Sequence, residues 1–306
     1  MDKKFLNLEF NLVKFPIIFP LIYGLVLFTV PQYETLLIFF TILLLAESHF
    51  AATWPFFLNN SNKKFIKENK ISLITFPFLI VVLSLIGFFL FKPTFLLIFF
   101  AANMYHVTRQ SFGVSKLYES GNDQIKYQEV FIYIFNILFF LIGFLRFYIQ
   151  ILSPDYLLIL NILIILSILL VVFFYYHKFN LNDGFYTFIT GLIIFYPICF
   201  VSNPVHAIIM GVTMHYTQYL FLTTKVYNGR KIKKTVSTSK KTYLGTIIVY
   251  ATAMSILSLF GKSSNEILNY LIVIPIIGQM LHFYLDSQLW KFSNSHNREN
   301  VLSHIK

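Results

Sequence analysis

Cysteine and charged residues are scarce in this sequence. Cys199 is its single cysteine and lies in an apolar run, which excludes a disulfide framework and a thiolate metal site. Asp, Glu, Lys and Arg make up only 12% of the 306 residues, whereas 57% are apolar. A soluble domain of this length needs far more charge on its surface. The composition therefore predicts an all-α polytopic integral membrane protein.

Long apolar runs take the place of the missing charge. A helix needs about 20 mostly apolar residues to cross a bilayer, and ten segments come close to that requirement. The predicted spans are 15–31, 34–58, 71–91, 94–115, 129–149, 155–177, 185–202, 205–224, 243–260 and 265–290. Only the connections 59–70, 116–128 and 225–241 are clearly polar. We therefore expect a single transmembrane domain over residues 1–306, with about ten transmembrane helices.

A cleavage site is also missing near the N-terminus. Lysines followed by an apolar stretch are typical of a signal peptide, but no small-residue motif follows that stretch. We therefore expect a retained first helix.

The placement of Lys and Arg predicts the orientation. If the N-terminus is cytoplasmic, 20 of the 24 such residues lie on the inside and three, Lys92, Arg146 and Lys262, on the outside. Arg109 lies within a span. Positive residues accumulate on the cytoplasmic side of membrane proteins, so both termini are predicted to be cytoplasmic. The net charge of +11 then reflects topology, with the basic segment 225–241 as a cytoplasmic loop near anionic lipid, and no nucleic-acid partner is expected.

Four of the eight histidines lie inside predicted spans. His49, His106, His215 and His282 belong to the spans 34–58, 94–115, 205–224 and 265–290, which all run in the same direction in this topology. Each stands eight or nine residues before the predicted cytoplasmic end of its span, which is about 13 Å deep at 1.5 Å per residue. An interhelical hydrogen bond would explain one such histidine. Four at one depth predict a shared metal centre.

Polar side chains accompany these histidines at helical spacing. The sets are Asn103, His106 and Gln110; Gln279, His282 and Asp286; and His215 with Gln218. Amides and carboxylates of this kind hold the second ring nitrogen of a metal-bound histidine. Gln110, Gln218 and Asp286 are therefore predicted as supporting or catalytic groups.

Two further charged residues belong to the predicted site. Glu47 stands two residues before His49 and faces another direction, so it is predicted either as a further ligand or as the partner of Arg109. Arg109 is predicted either to extend towards the membrane surface or to hold a substrate carboxylate or phosphate.

The donor set limits the chemistry. Imidazole suits iron, zinc, copper and nickel. A buried all-histidine site favours non-haem iron acting with oxygen on a hydrophobic substrate from the bilayer, such as a lipid, isoprenoid or carotenoid. Zinc with Glu47 or Asp286 as base would instead favour hydrolysis. A proton-coupled transporter and a haem-b protein are the alternatives, although both normally need polar groups or haems at more than one depth. The oligomeric state is not predicted.

One family shares this style of motif. The pieces His49-Phe50 and His282 followed by Asp286 in HFYLD resemble motifs of the bacterial carotene-cleaving Brp/Blh family of membrane dioxygenases. That resemblance implies iron held by histidines from several helices, here His49, His106, His215 and His282, in a bacterial inner (plasma) membrane. The chain lacks the closely spaced histidine pairs and the proline–histidine signature of that family. It also lacks the HxxxH and HxxHH boxes of fatty-acid desaturases and hydroxylases.

Overall fold

The computed structural model describes residues 7–57, 60–232, 240–261 and 266–305. The structure is all-α and 89% helical, with no strand in these residues. Its main helices are α1 (Asn7–Lys14), α2 (Ile18–Thr29), α3 (Pro31–Phe57), α4 (Asn60–Glu68), α5 (Ile71–Leu90), α6 (Lys92–Tyr118), α7 (Asn122–Tyr148), α8 (Pro154–Lys178), α9 (Asp183–Cys199), α10 (Pro204–Ile232), α11 (Lys240–Phe260), α12 (Tyr270–Leu289) and α13 (Ser295–Asn300). Several basic residues used in the orientation argument lie outside the described residues, namely Lys3, Lys4, Lys233, Lys234, Lys262 and Lys306.

Six of these helices are long and apolar enough to cross a membrane: α3, α5, α7, α8, α11 and α12. The count rises to seven if α1 and α2, which meet at a bend of 65°, form one broken span. Helix α9 is apolar but shorter. Helices α6 and α10 are long, at 27 and 29 residues, but they carry more polar side chains, His106 and His215 among them. The described helices are consistent with a multi-pass membrane protein.

The exposure of many large apolar side chains supports a membrane environment. Helix α8 is the clearest case, where Leu158, Leu166 and Phe173 are all more than half exposed. Water would make such a surface costly, whereas hydrocarbon does not. Polar groups are correspondingly kept inside, including Gln128 and His49 at 0% exposure.

The predicted polar connections are shorter than expected. Residues 60–68 of the predicted connection 59–70 form helix α4, and α10 continues to Ile232 through much of the segment 225–241. The connection 116–128 reduces to the few residues between Tyr118 and Asn122. The prediction of loops was wrong there because Lys, Glu and Gln favour helices once a span has supplied the nucleus. The remainder of 225–241, residues 233–239, is outside the described part.

The helix in the first predicted span, 15–31, is shorter than predicted and follows a break. Helix α1 ends at Lys14 and α2 begins at Ile18. Pro16 lies in the break, where its missing N–H and fixed φ interrupt helical hydrogen bonding. The amide of Gln218 donates to the Val13 carbonyl at 2.7 Å and so satisfies a main-chain acceptor next to the break.

The chain divides into two compact units. The first comprises Met1–Ile38 and Met104–Gln218, and the second comprises Phe39–Asn103 and Tyr219–Lys306. The boundaries fall within α3, α6 and α10, so these three helices belong partly to each unit. The prediction of a single transmembrane domain stays a prediction.

The first unit is held together by a buried carboxylate. Glu119 accepts hydrogen bonds from Tyr175, Gln128 and Asn182 at 2.9–3.1 Å and from two main-chain N–H groups after the end of α6. Five donors around one carboxylate offset its loss of hydration. Lys14 also pairs with Asp183 at 2.6 Å. These bonds join α1, α6, α7, α8 and α9.

The second unit packs around small residues on α3. Ala51 and Ala52 are fully buried against an aromatic and aliphatic cluster of Tyr219, Tyr227, Tyr243 and Ile247. Their short side chains let α11 approach α3 closely. This packing also places the neighbouring residues His49 and Thr53 of α3 in the interior of the unit.

Candidate metal centre

His49 and His282 form a close pair inside the second unit. Both side chains have 0% exposure, and their ring centroids are 4.3 Å apart at an interplanar angle of 65°. His49 follows a π-helical turn over Ile42–Ala46, and the hydroxyl of Ser48 donates to the Leu43 carbonyl at 3.0 Å. Such turns add a residue to a helix and often lie at functional positions. Helix α12 supplies His282.

A chain of hydrogen bonds fixes the ring of His282. Its Nδ1 lies 2.8 Å from the hydroxyl of Thr53, which is in turn 2.6 Å from the hydroxyl of Tyr219. Tyr219 is also hydrogen-bonded to Asp286, and Asp286 accepts from Trp290 Nε1 at 2.6 Å. With Nδ1 engaged by Thr53, a metal ion would bind His282 through Nε2. A fixed second nitrogen of this kind is usual for metal-bound histidine.

Tyr219 is a residue that the sequence argument missed. Its ring lies 4.5 Å from that of His49 and 5.5 Å from that of His282, and its side chain is fully buried. It stands four residues after His215, so helical spacing alone places it on the same stripe of α10. The same rule would have added Trp290, four residues after Asp286.

Glu47, two residues before His49 in the sequence, is a buried carboxylate of the second unit. It is 1% exposed, and its Oε1 accepts from Gln279 Nε2 at 3.3 Å. Its Oε2 has no hydrogen-bond partner within the described part of the chain. A buried carboxylate in such a position needs a proton or a nearby cation.

His106 and His215 form a second pair, in the first unit. Their ring centroids are 5.2 Å apart and nearly perpendicular, at 87°, and both side chains are buried. Gln110, one turn after His106, has buried amide atoms that find no hydrogen-bond partner among the described residues. Arg109 is exposed. Gln218, predicted to support His215, donates to the Val13 carbonyl.

Three of the four predicted ligands form a buried group that could hold a metal ion. His49, His106 and His282 each offer one ring nitrogen, and these atoms lie within 4.8 Å of one another. His215, Glu47 and Asp286 do not belong to the group. Three imidazoles leave coordination positions for other ligands, which is the arrangement of catalytic rather than purely structural sites. The identity of a metal does not follow from this donor set, since iron and zinc both suit it.

No family model, no curated protein and no solved structure matches this chain. The resemblance to the Brp/Blh dioxygenases is therefore still an expectation from sequence motifs.

Proposed function

We propose that this chain is a membrane-embedded, metal-dependent oxidoreductase that uses non-haem iron and acts on a hydrophobic substrate. The single observation that carries this proposal is the buried group His49, His106 and His282, which could hold a metal ion. The proposed topology has ten membrane crossings with both termini in the cytoplasm, because that arrangement puts 20 of 24 basic residues on one side.

The side chains around the second-unit pair have distinct proposed roles. Thr53 holds Nδ1 of His282 and so orients Nε2 towards the ion. Tyr219 is hydrogen-bonded to Thr53 and holds it in place, and Asp286 in turn holds Tyr219. Glu47 is proposed to accept a proton, since one of its oxygens already has Gln279 as donor and the other has no hydrogen-bond partner in the described chain.

The residues of the first unit have less specific proposed roles. Gln110 offers buried amide atoms to a polar part of the substrate or to water. Arg109 is exposed, which favours contact with lipid headgroups or with a substrate carboxylate that approaches from the membrane surface. Gln218 stabilises the main chain of α1 beside the site.

Iron is favoured over zinc by the kind of environment. Ferrous iron with open positions supplies oxygen activation, and a site that excludes water protects reactive intermediates. Phe50 and Phe283 border His282 at ring distances of 5.0 and 6.0 Å, which makes its surroundings apolar. Surroundings of this kind favour an apolar reactant from the bilayer. The motif resemblance to carotene-cleaving dioxygenases makes carotenoids the first compounds to assay, before other isoprenoids and lipids.

Metal analysis of the detergent-purified protein tests this proposal. Inductively coupled plasma mass spectrometry should find close to one iron per chain, and a His106→Ala/His282→Ala double variant should lose it. His177→Ala is the matched control, since His177 is exposed and outside the group. If the folded parent contains no metal after anaerobic iron loading, or if the double variant keeps it, the metal-centre proposal is wrong.

A proton-coupled transporter is the second candidate, and one observation favours it. His206, near the N-terminal end of α10, is 1% exposed, with Nδ1 2.7 Å from the Tyr23 hydroxyl and Nε2 3.6 Å from Glu34. It lies nine residues before His215, or about 13 Å along α10. The chain thus has ionisable groups at a second depth, which a transport path requires. Proton uptake by vesicles that stops in His206→Ala, with no metal in the parent, would support transport.

A further inference from the structure

The second unit contains an apolar groove whose lining does not include His49 or His282. It has a volume of about 250 Å³. Its lining side chains are all apolar and include Trp54, Phe57, Ile66, Leu73, Val81 and Leu285. They come from α3, α4, α5 and α12. No role in metal binding is assigned to any of these residues.

The groove runs inwards from one end of the spans. Trp54 and Phe57 lie in the last turn of α3, and Leu73 lies in the first turn of α5. Along α5 the lining runs from Leu73 to Val81, eight residues or about 12 Å. Half of a hydrocarbon core of about 30 Å is about 15 Å. The groove therefore covers most of the depth of one lipid leaflet.

The size of the groove favours a slender occupant. At about 250 Å³ it is smaller than the pockets of about 300–1,000 Å³ that enclose drug-sized ligands. Phe78, which also lines it, is 65% exposed, so the groove is open towards the surrounding lipid. A single acyl chain meets both conditions, because it is narrow and already present at that depth.

Positive charge lies at the outer end of the groove. Helix α4 contributes Ile66 to the lining, and Lys63, Lys67 and Lys70 are exposed around it. The N–H of Asn69 donates to the Phe65 carbonyl at 3.0 Å, so helical geometry continues past Glu68. Lys63 and Lys70 stand three residues before and four after Ile66, on the same side of the helix. The neighbouring Lys64 pairs with Glu68 at 3.8 Å. Within the described residues, no ion pair involves Lys63, Lys67 or Lys70.

We propose that this groove is a binding site for an anionic phospholipid. One acyl chain occupies the groove between α3, α5 and α12, and the phosphate lies against Lys63, Lys67 and Lys70. An amphipathic basic helix at the membrane surface attracts anionic headgroups, by about fivefold for each well-placed lysine. The apolar wall and the lysines together distinguish this lipid from the bulk, because neither feature alone selects both the chain and the charge. The site is independent of the proposed metal chemistry.

Tryptophan fluorescence tests the site directly. The chain has only two tryptophans, and Trp54 lines the groove. The full-length protein is reconstituted in two series of vesicles, in which the mole fraction of either brominated phosphatidylglycerol or brominated phosphatidylcholine is increased stepwise. Bromine on the acyl chain quenches a tryptophan in contact with it. Half-quenching of Trp54 should need a mole fraction of the anionic lipid that is at least about fivefold lower than that of phosphatidylcholine. The Trp54→Phe variant should lose this difference.

Two matched pairs of variants separate the parts of the proposal. Lys63→Gln/Lys67→Gln/Lys70→Gln should reduce the anionic preference to about onefold, whereas Lys231→Gln/Lys240→Gln/Lys241→Gln, which changes three other exposed lysines, should keep it. Val81→Phe should fill the groove and abolish the preference, whereas Val82→Phe, next to it but outside the lining, should not. Equal quenching by the two lipids in the parent would overturn the proposal. So would an unchanged preference in both test variants. Metal content should stay at the parental value in all of them, so a failure of this site leaves the metal centre untouched.

Discussion

The two units each bury a pair of histidines, but the surroundings of the pairs differ. In the second unit, His49 and His282 are 4.3 Å apart, and Thr53 begins a hydrogen-bonded chain that ends at Trp290. In the first unit, His106 and His215 are 5.2 Å apart and nearly perpendicular. Arg109 stands close enough in the sequence to add positive charge beside His106.

This difference indicates separate tasks for the pairs. A histidine whose Nδ1 is held by a hydroxyl presents Nε2 in a fixed direction, and metal binding benefits from such preorganisation. The hydrogen bonds of Thr53 to His282 and to Tyr219 therefore hold the ring of His282 in place within the second unit. Of the first pair, only His106 belongs to the group that could hold a metal ion. His215 is expected to shape the site by packing against His106.

The largest expected effect on iron binding comes from replacing a proposed ligand, and it should differ between the two pairs. His282→Ala should weaken iron binding by more than about 100-fold, because a lost ligand costs more than a lost supporting residue. His215→Ala should keep near-parental metal content. Metal content by mass spectrometry, with folding monitored by circular dichroism, measures both. Equal loss in the two variants would mean that His215 is a ligand and that the pairs share one task.

Thr53→Val should have the next largest effect, on His282 alone. Valine has nearly the shape of threonine but no hydroxyl, so Nδ1 of His282 and the Tyr219 hydroxyl both lose a partner. We expect iron affinity to fall about 10- to 100-fold and stability to fall by about 1–3 kcal/mol. Competition titration against a chelator and thermal unfolding measure these. Thr53→Ser is the control and should retain most of the affinity. An unaffected Thr53→Val variant would exclude an orienting role for this hydroxyl.

Tyr219→Phe should have a smaller effect, because Thr53 remains beside His282. The Tyr219 hydroxyl is bonded to both Thr53 and Asp286, so we expect stability to fall by about 1–3 kcal/mol, whereas iron affinity should change by less than about tenfold. Tyr216→Phe on the same helix is the matched control for removal of a tyrosine hydroxyl and should not change iron affinity. A larger effect than that of Thr53→Val would show that Tyr219 acts on the metal directly.

The smallest effect concerns pH and the C-terminal end of the second unit. Burial, then the nearby charge of Arg230, lowers the pKa of His296 below its ordinary value of 6.5. The unfolded chain therefore binds a proton more readily than the folded one between that lowered pKa and pH 6.5. Stability should fall as the pH falls through this window.

Hydrogen exchange resolved by region measures this prediction. Amides near His296, which stacks on Phe65 at 4.2 Å, should lose protection as the pH falls below 6.5 after correction for intrinsic rates. Amides around Glu119 in the first unit should not. His296→Asn should remove the difference. Identical behaviour of both regions in the parent would contradict the assignment to His296.

Sequence patterns predicted the helical fold well because apolar runs and helix length are local properties. Each predicted span overlaps a helix. The break at Pro16 and the helical extension to Ile232 were missed, because the spans were predicted from the count of apolar residues alone, without the effect of the proline or the helix propensity of polar residues. The number of crossings and the orientation stay predictions beyond the six apolar helices.

Part of the candidate site could also be predicted from the sequence, because some of its residues are related by local helical spacing. Helical spacing found His282 with Asp286, because both lie on one helix face. It could not find the link from Thr53 to His282, because those residues are 229 positions apart in the sequence. Nor could it distinguish His215 from the three histidines that could hold a metal ion. That distinction depends on a few ångströms in three dimensions.

The π-helical turn over Ile42–Ala46 has a consequence for how such a span can change. It shifts the register of α3 by one residue, so the stretch before it and the stretch after it are set at different rotations about a common axis. Deleting one residue there would rotate the end that carries His49 by about 100° relative to the lipid-facing end. A one-residue insertion or deletion at this turn would therefore change which side of α3 carries His49 without changing which side chains before the turn face lipid.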